Sequence, residues 1–352
     1  MGKSIQVGIV GARGYTGAEC LRLLTGHPEF TVSVVCSTTI AGKTIASVFP
    51  SLSLADTSLA QLNFSSYSPE ALKQCQVVIF TTPHGVAASL VPALLELGIR
   101  VVDLSADFRL RDPSVWQQYY HSEHPNFALV KQACYGLTEY EREKITSAQL
   151  VANPGCYPTA VSLALIPLLR EQCISAQGII ADCKSGVSGA GRKVEEGYLL
   201  SELRSNFFAY GLPAHRHLPE IEQGLTQYGC LEEGALGITF VPHLLPVPRG
   251  ILATLYCQSK LPLQQVYQVL QASYHHEPFV KVLPLGELPQ LVQVVGTNLC
   301  AIGLSQTPQG TLVIVSAIDN MIKGAAGQAL QNMNRMFGFE ETLGLSAIPL
   351  WP

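Results

Sequence analysis

Short apolar runs alternate with helical stretches through the first third of the chain. Ile5–Val10, Thr31–Cys36, Val77–Thr81 and Arg100–Leu104 read as strands. A helix starts over Gly17–Leu24 and another runs through Val86–Glu96. Strands joined by helical segments imply a parallel sheet with crossover helices. From about Ile179 the pattern changes. Ile179–Cys183, Gly237–Val241, Leu252–Gln258 and Thr311–Ser316 read as longer strands of a mixed or antiparallel sheet. Met321–Met336 reads as one amphipathic helix, with Asp319-Asn320 as its cap. The boundary between the two patterns falls near Ala152, and the last helix is expected to return to the first domain. No fixed-period repeat or low-complexity tract interrupts this order.

The 352 residues suggest two domains, and with 47% apolar and 14% charged residues both have ample core material. Disorder is excluded. A net charge of −4 leaves no basic surplus for phosphate backbones, which disfavours nucleic acid. The most apolar stretch, Val161–Leu169, falls far short of the roughly 20 residues that span a bilayer. Met1-Gly2-Lys3-Ser4 leads straight into an apolar run, so no export signal is expected. Gln6 stands where an acylation signal wants Ser or Thr. Ten cysteines without a CxxC pair then read as reduced thiols in a cytoplasmic protein.

Gly8 to Gly17 (GIVGARGYTG) follows a strand and opens a helix. Glycines there permit a tight turn and let backbone approach a pyrophosphate at a helix N-terminus. The spacing is GxxGxxG rather than GxGxxG. The second strand ends in Cys36-Ser37-Thr38-Thr39 with no acid to bind a ribose 2′-hydroxyl, which favours NADP over NAD. Ser37, Thr38 and Lys43 are candidates for a 2′-phosphate, though none makes an arginine clamp.

Asn153-Pro154-Gly155-Cys156-Tyr157-Pro158-Thr159 places a cysteine after a sharp turn and at the start of an apolar helix. Unsatisfied N–H groups and the positive dipole end favour thiolate there, making Cys156 the candidate nucleophile. The other cysteines read as inert. His215 and His217 lie two apart with Glu220 three further on. In extended backbone both rings face one side. That suits a proton carrier for a thiol or half of a zinc site; no further metal ligands are evident. Ser105-Ala106-Asp107-Phe108-Arg109 follows a strand end, where parallel sheets bind ligands. The small-residue loop Lys184–Arg192 offers N–H groups and hydroxyls to a phosphate.

Taken together these pieces resemble the N-acetyl-γ-glutamyl-phosphate reductases, within the aspartate-semialdehyde dehydrogenase group of acyl-phosphate reductases. The resemblance runs over essentially the whole chain. It rests on GIVGARGYTGAEC from Gly8, AGKTIASVFPSL from Ala41, TPHGVA from Thr82, DLSADFRL from Asp103 and NPGCYPT from Asn153. It continues in KSGVSGAGR from Lys184, HRHLPEI from His215, VPHLLPVPRGI from Val241 and DNMIKGAAGQA from Asp319. NPGCYPT with HRHxPE is the specific part; the glycine loop is not. Two departures stand out. Thr38 sits where the related pattern often has Arg, and Thr138 replaces the usual proline of YGLPE.

The resemblance implies an α/β fold. A Rossmann domain would be made from residues 1–152 and 320–352, with an α+β catalytic and oligomerisation domain over 153–319. It implies Cys156 as nucleophile and His217 as acid/base. NADP would be held by Gly11, Arg13, Gly14, Tyr15, Thr16, Gly17, Ser37, Thr38, Pro83 and His84. Ser185, Gly186, Gly189 and Asn320 would line the nicotinamide side, while Ser105, Arg109, Ser188 and Arg249 would meet the substrate. No metal is expected. The reaction implied is NADPH-dependent reduction of N-acetyl-γ-glutamyl phosphate through a cysteine thioester, in arginine biosynthesis, by a homotetramer or homodimer. Rival expectations are aspartate-semialdehyde dehydrogenase, a carrier-bound aminoadipyl-phosphate reductase, a cysteine hydrolase, and a nucleotide-binding protein without chemistry.

Overall fold

The two hydrophobic patterns become two sheets in the computed structural model, which describes residues 4–54, 58–192 and 195–350. The Met1–Lys3 start, read above for export and acylation signals, lies outside the described residues. The chain divides into two compact units, residues 1–154 with 325–345 and residues 155–324 with 346–352.

The first unit holds seven strands: β1 (Ile5–Val10), β2 (Phe30–Cys36), β3 (Phe64–Ser65), β4 (Val77–Phe80), β5 (Arg100–Asp103), β6 (Cys134–Tyr135) and β7 (Leu150–Ala152). They lie in the order β3-β2-β1-β4-β5-β7-β6, all parallel. Helices Tyr15–Thr25 and Val86–Glu96 make crossovers. Such a sheet is covered on both faces, so its central strands read as unbroken apolar runs: Val77–Phe80 is buried at every position. The strand order reverses between β1 and β4, where ligands of doubly wound sheets bind beyond the carboxyl ends.

Helix Gly327–Met336 belongs to this unit and departs from the expected amphipathic pattern. Its polar side chains Gln328, Gln331, Asn332 and Asn334 are all completely buried. Three of the amides reach backbone, Gln328 Nε2 donating to Gly136 O at 3.0 Å, Asn332 Nδ2 to the same oxygen at 2.9 Å and Asn334 Nδ2 to Leu343 O at 2.9 Å, while Gln331 Nε2 donates to the carboxylates of Glu139 and Glu341. The expected helix from Met321 also begins differently, with a single π-helical turn at Ile322–Ala326.

The second unit carries β8 (Ile179–Gly186), β9 (Phe208–Ala209), β10 (Ile238–Leu245), β11 (Ile251–Gln258), β12 (Val280–Val282), β13 (Cys300–Gln306) and β14 (Thr311–Ile318). Their order is β12-β13-β14-β11-β8-β10-β9, with β10–β8 and β12–β13 parallel and the rest antiparallel. Helix Cys156–Arg170 lies on β11 and β14, and Leu218–Tyr228 and Leu263–Tyr274 pack on that helix. Pro167, inside it, has no N–H for the carbonyl of Leu163. The Tyr274 hydroxyl fills that vacancy, donating to Leu163 O at 2.6 Å.

At the end of β5 a completely buried carboxylate, Asp103, accepts from Ser105 N at 3.0 Å and Ser105 Oγ at 2.7 Å. Burial, then the charge of Asp107, raises its pKa from 3.8 to about 7. The unfolded chain loses this proton near 3.8, while the folded chain keeps it to about 7. Folding therefore takes up a proton in that window, and stability falls as pH rises through it. Asp103→Asn is expected to flatten that slope in urea midpoints measured across the window. An unchanged slope in the variant refutes the assignment.

Candidate functional site

The candidate residues fall in both units. In the first, the chain leaves β1 through Gly11, whose φ of +87° strains any other residue; a Cβ there would stand 2.8 Å from Thr81 O. Gly17 is required by packing, since its Cβ would lie 2.6 Å from Ala12 Cα. The loop thus brings bare backbone to the start of helix Tyr15–Thr25, as a dinucleotide pyrophosphate requires. Gly14 is the N-cap, Thr16 is half-buried and Tyr15 is exposed. Beyond β4, Pro83 and His84 are exposed, and the His84 ring lies 5.2 Å from that of Tyr120.

Asp107, given no role of its own in the sequence, holds this edge together. Its carboxylate accepts from Gly85 N at 2.6 Å and Ala88 N at 2.9 Å, capping helix Val86–Glu96. Ser105 Oγ, besides donating to Asp103, accepts from Asp107 N at 3.2 Å. Arg109 is buried, with Nη2 donating to Leu104 O at 2.8 Å. Both side chains therefore shape the β5 loop.

In the second unit Cys156 opens a 15-residue helix and is half-buried. The residue before it, Gly155, donates its N–H to Glu220 Oε1 at 2.8 Å. Glu220, three residues after His217, is buried and grips the turn that presents the thiol. Burial pushes the thiols of Cys20, Cys36, Cys75, Cys173 and Cys183 up, and that of Cys257 up to about 12. All ten cysteines are unbridged.

His217 is not in extended backbone. Leu218 N donates to His215 O at 2.9 Å, closing a turn, and His217 caps helix Leu218–Tyr228 in the right-handed helical region. His215 Nδ1 accepts from His217 N at 3.0 Å. Burial, then the charge of Arg216, lowers the His215 pKa to about 4. Tyr157, next to the thiol, meets both rings edge-on, at 5.7 Å for His215 and 5.9 Å for His217. Among the described residues no group of three or more His, Cys, Asp or Glu side chains is placed to hold a metal ion.

The small-residue loop after β8 is zipped to 247–250. Gly186 N donates to Gly250 O, Val187 N to Val247 O and Ser188 N to Pro248 O. Gly186 has no room for a Cβ, which would fall 2.8 Å from Arg249 N. Ser185 is buried, and a Cβ on Gly189 would stand 2.8 Å from its Oγ. Asn320 staples the two loops: Nδ2 donates to Ser188 Oγ at 2.9 Å and Oδ1 accepts from Gly250 N at 2.7 Å. Arg249 is one-third exposed and 3.7 Å from the buried carboxylate of Asp319. Asp319 itself accepts from Gly296 N and Met321 N.

The π-turn supplies a contact that no local pattern announced. Gly324 seats against the thiol residue so closely that an added Cβ would lie 2.7 Å from Cys156 Cβ and 3.1 Å from its Cα. A glycine in a helical run was the available signal, as π-turns are rare and cluster at functional sites.

The comparisons with known proteins cover both units. Residues 6–148 match the semialdehyde dehydrogenase NAD binding domain, and residues 156–320 match the semialdehyde dehydrogenase dimerisation domain. The chain is 51% identical, over 100% of both chains, to the N-acetyl-gamma-glutamyl-phosphate reductase of Neisseria gonorrhoeae. It is 48% identical to that of Nitrosospira multiformis, with 99% of this chain and 100% of the relative covered. Among solved structures, aspartate semialdehyde dehydrogenase II of Vibrio cholerae superimposes with a TM-score of 0.71 at 15% identity, covering 96% of this chain and 99% of that one. The Candida albicans aspartate semialdehyde dehydrogenase with NADP superimposes at 0.65 and 16% identity, covering 96% and 99%. At such identities these structures speak for the fold.

Gly324→Ala is expected to destabilise the protein by about 1–3 kcal/mol through overpacking, measured by denaturant unfolding. In a Cys156→Gly background, which deletes the clashing Cβ, the same change should cost clearly less. Equal costs in both backgrounds would place the strain elsewhere.

Proposed function

The chain belongs to the N-acetyl-γ-glutamyl-phosphate reductases of the semialdehyde dehydrogenase family, and from that premise we propose that it reduces N-acetyl-γ-glutamyl phosphate to N-acetylglutamate 5-semialdehyde and phosphate. The observation that carries the reading is the half-buried Cys156 at a helix start, its turn gripped by Glu220 and its neighbour Tyr157 flanked by two histidine rings. NADPH, when bound, supplies the hydride. The glycine loop suits its pyrophosphate, because Gly11 and Gly17 leave no room for a Cβ.

The chain's own residues do the rest. Cys156 sulfur attacks the acyl carbon; a C–S bond forms, the C–O bond to phosphate breaks, and phosphate leaves a thioester. The positive end of helix Cys156–Arg170 stabilises the thiolate before attack and again when the thioester carbon releases it. His217 takes the thiol proton at attack and gives it to the departing phosphate; once hydride has reached the thioester carbon, the C–S bond breaks, the aldehyde carbonyl re-forms and the thiolate is regenerated. His215 suits this task less: burial keeps it neutral near pH 7, and its Nδ1 is occupied by the His217 N–H. Arg249, held by Asp319, is the cation best supported for an anionic substrate group; Arg109 is more deeply buried. Ten unbridged cysteines support a reducing compartment such as the cytoplasm.

The face of the mixed sheet away from helix Cys156–Arg170 supports a homo-oligomer. Ile180 stands opposite Tyr256, and Tyr256 opposite Val313, in a half-exposed apolar row, with Ile180 44% exposed. Beside it Asp182 is bridged by Lys184 at 2.7 Å and His243 at 3.2 Å. We take this face as the contact between two copies, in keeping with the dimerisation domain that residues 156–320 match.

Phosphate-dependent oxidation of N-acetylglutamate 5-semialdehyde with NADP tests the activity. Cys156→Ser should reduce turnover by orders of magnitude; near-normal turnover in Cys156→Ala sinks the nucleophile. His217→Asn should cost about 10²-fold or more in kcat, the scale of a lost acid/base, and His215→Asn less. The reverse ranking reassigns the proton carrier. For assembly, Ile180→Asp with Tyr256→Arg should halve the mass seen by light scattering. Unchanged mass places the interface elsewhere.

A further inference from the structure

β1 and β2 run side by side with Val10 opposite Cys36. The chain then hooks onto the end of β2: Gly11 N donates to Cys36 O at 3.0 Å and Ala12 N to the same oxygen at 3.4 Å. That hook carries Arg13 across the strand end. Its Nη1 reaches Thr39 Oγ1 at 3.5 Å, and Thr39 Oγ1 lies 3.3 Å from Ser37 Oγ. Ser37 is fixed in turn, its N–H donating to Ser65 O at 2.9 Å. One guanidinium and two hydroxyls thus gather at the carboxyl end of the second strand, all within the first unit.

This is the place where a doubly wound domain receives the ribose next to adenine. An acid there accepts the 2′-hydroxyl of NAD, and an arginine accommodates the 2′-phosphate of NADP. Residues Cys36–Ile40 contain neither acid nor arginine. We propose that Arg13 supplies the missing guanidinium and, with the hydroxyls of Ser37 and Thr39, forms the 2′-phosphate subsite that sets the preference for NADP. The chemistry fits. A guanidinium fork matches two phosphate oxygens, and each hydroxyl donates one further hydrogen bond. Arg13 is exposed, so the pairing is screened by salt. Selectivity then resides on the glycine loop, and the segment that carries the pyrophosphate also reads the ribose.

The inference rests on the NADPH-dependent reading and deepens it, without involving Cys156. Its test is binding, not turnover. The full-length protein is titrated calorimetrically with 2′,5′-ADP and with 5′-ADP, which differ only in the 2′-phosphate. The wild type is expected to prefer 2′,5′-ADP, with the preference shrinking as salt rises. Arg13→Ala should weaken 2′,5′-ADP by about 10–100-fold, the scale of lost hydrogen bonds to a charged group, and leave 5′-ADP within about twofold. Arg13→Lys should recover part of the loss. Equal weakening of both probes, or of neither, overturns the proposal. If Arg13→Ala lowers the melting temperature of the ligand-free protein, Ser37→Ala with Thr39→Val carries the test. It too must lose 2′,5′-ADP selectively, and equal affinities overturn the proposal again. Cys156→Ser should bind both probes as the wild type does. A missing phosphate-dependent activity with intact 2′,5′-ADP selectivity would defeat the reductase reading and leave this subsite standing.

Discussion

Asn153 is held on three sides, and the thiol follows three residues later. Its N–H donates to Asp103 O at 2.8 Å, its Nδ2 to Ala325 O at 3.2 Å, and its Oδ1 accepts from Asn332 Nδ2 at 3.0 Å. Asn332 is in turn bound by the Thr138 hydroxyl at 2.7 Å and donates to Gly136 O at 2.9 Å. Every member of this network is completely buried, apart from main-chain atoms of its neighbours. A buried amide left without a partner costs about 1–3 kcal/mol, so such a network tolerates few arrangements. The end of β7 is thereby pinned to the C-terminal helix, nearly two hundred residues away in sequence.

The same logic recurs with buried carboxylates. Glu220 holds Gly155 N, Asp107 holds Gly85 and Ala88, and Asp319 holds Gly296 and Met321. Asp103 holds Ser105. In a chain with only 14% charged residues, these acids act mainly as organisers of loop backbone. Hydrogen bonds from N–H groups to a carboxylate are short and strong, and they offset its desolvation. Such ties fix loop backbone within each unit, while Cys156 and His217 stay half-buried.

Glycines complete the arrangement by removing bulk where backbones cross. Gly11 clears Thr81, Gly186 clears Arg249, and Gly324 clears Cys156. Each lies in a motif that the sequence displays, yet the neighbour that demands it comes from a distant segment. The glycine loop and the thiol turn could be recognised as pieces. The contacts that make their glycines obligatory could not.

The strands of both sheets were legible because their signal is local. Val77–Phe80 is an unbroken apolar run because both faces of the parallel sheet are covered, and Ile179–Gly186 alternates because one face of the mixed sheet is left half-exposed. The NPGCYPT turn was equally readable, since Pro, Gly and a helix start act within a few residues. Local pattern failed for Met321–Met336, read as one amphipathic helix. Its polar residues point into the protein, and a π-turn opens it. It also misjudged the histidines: His217 caps a helix in the right-handed region, and burial with the Arg216 charge lowers the pKa of His215. Periodicity reports which positions avoid water. It does not report which buried amide meets which carbonyl, or how deeply a ring is covered, because those partners are chosen only when segments distant in the chain pack together.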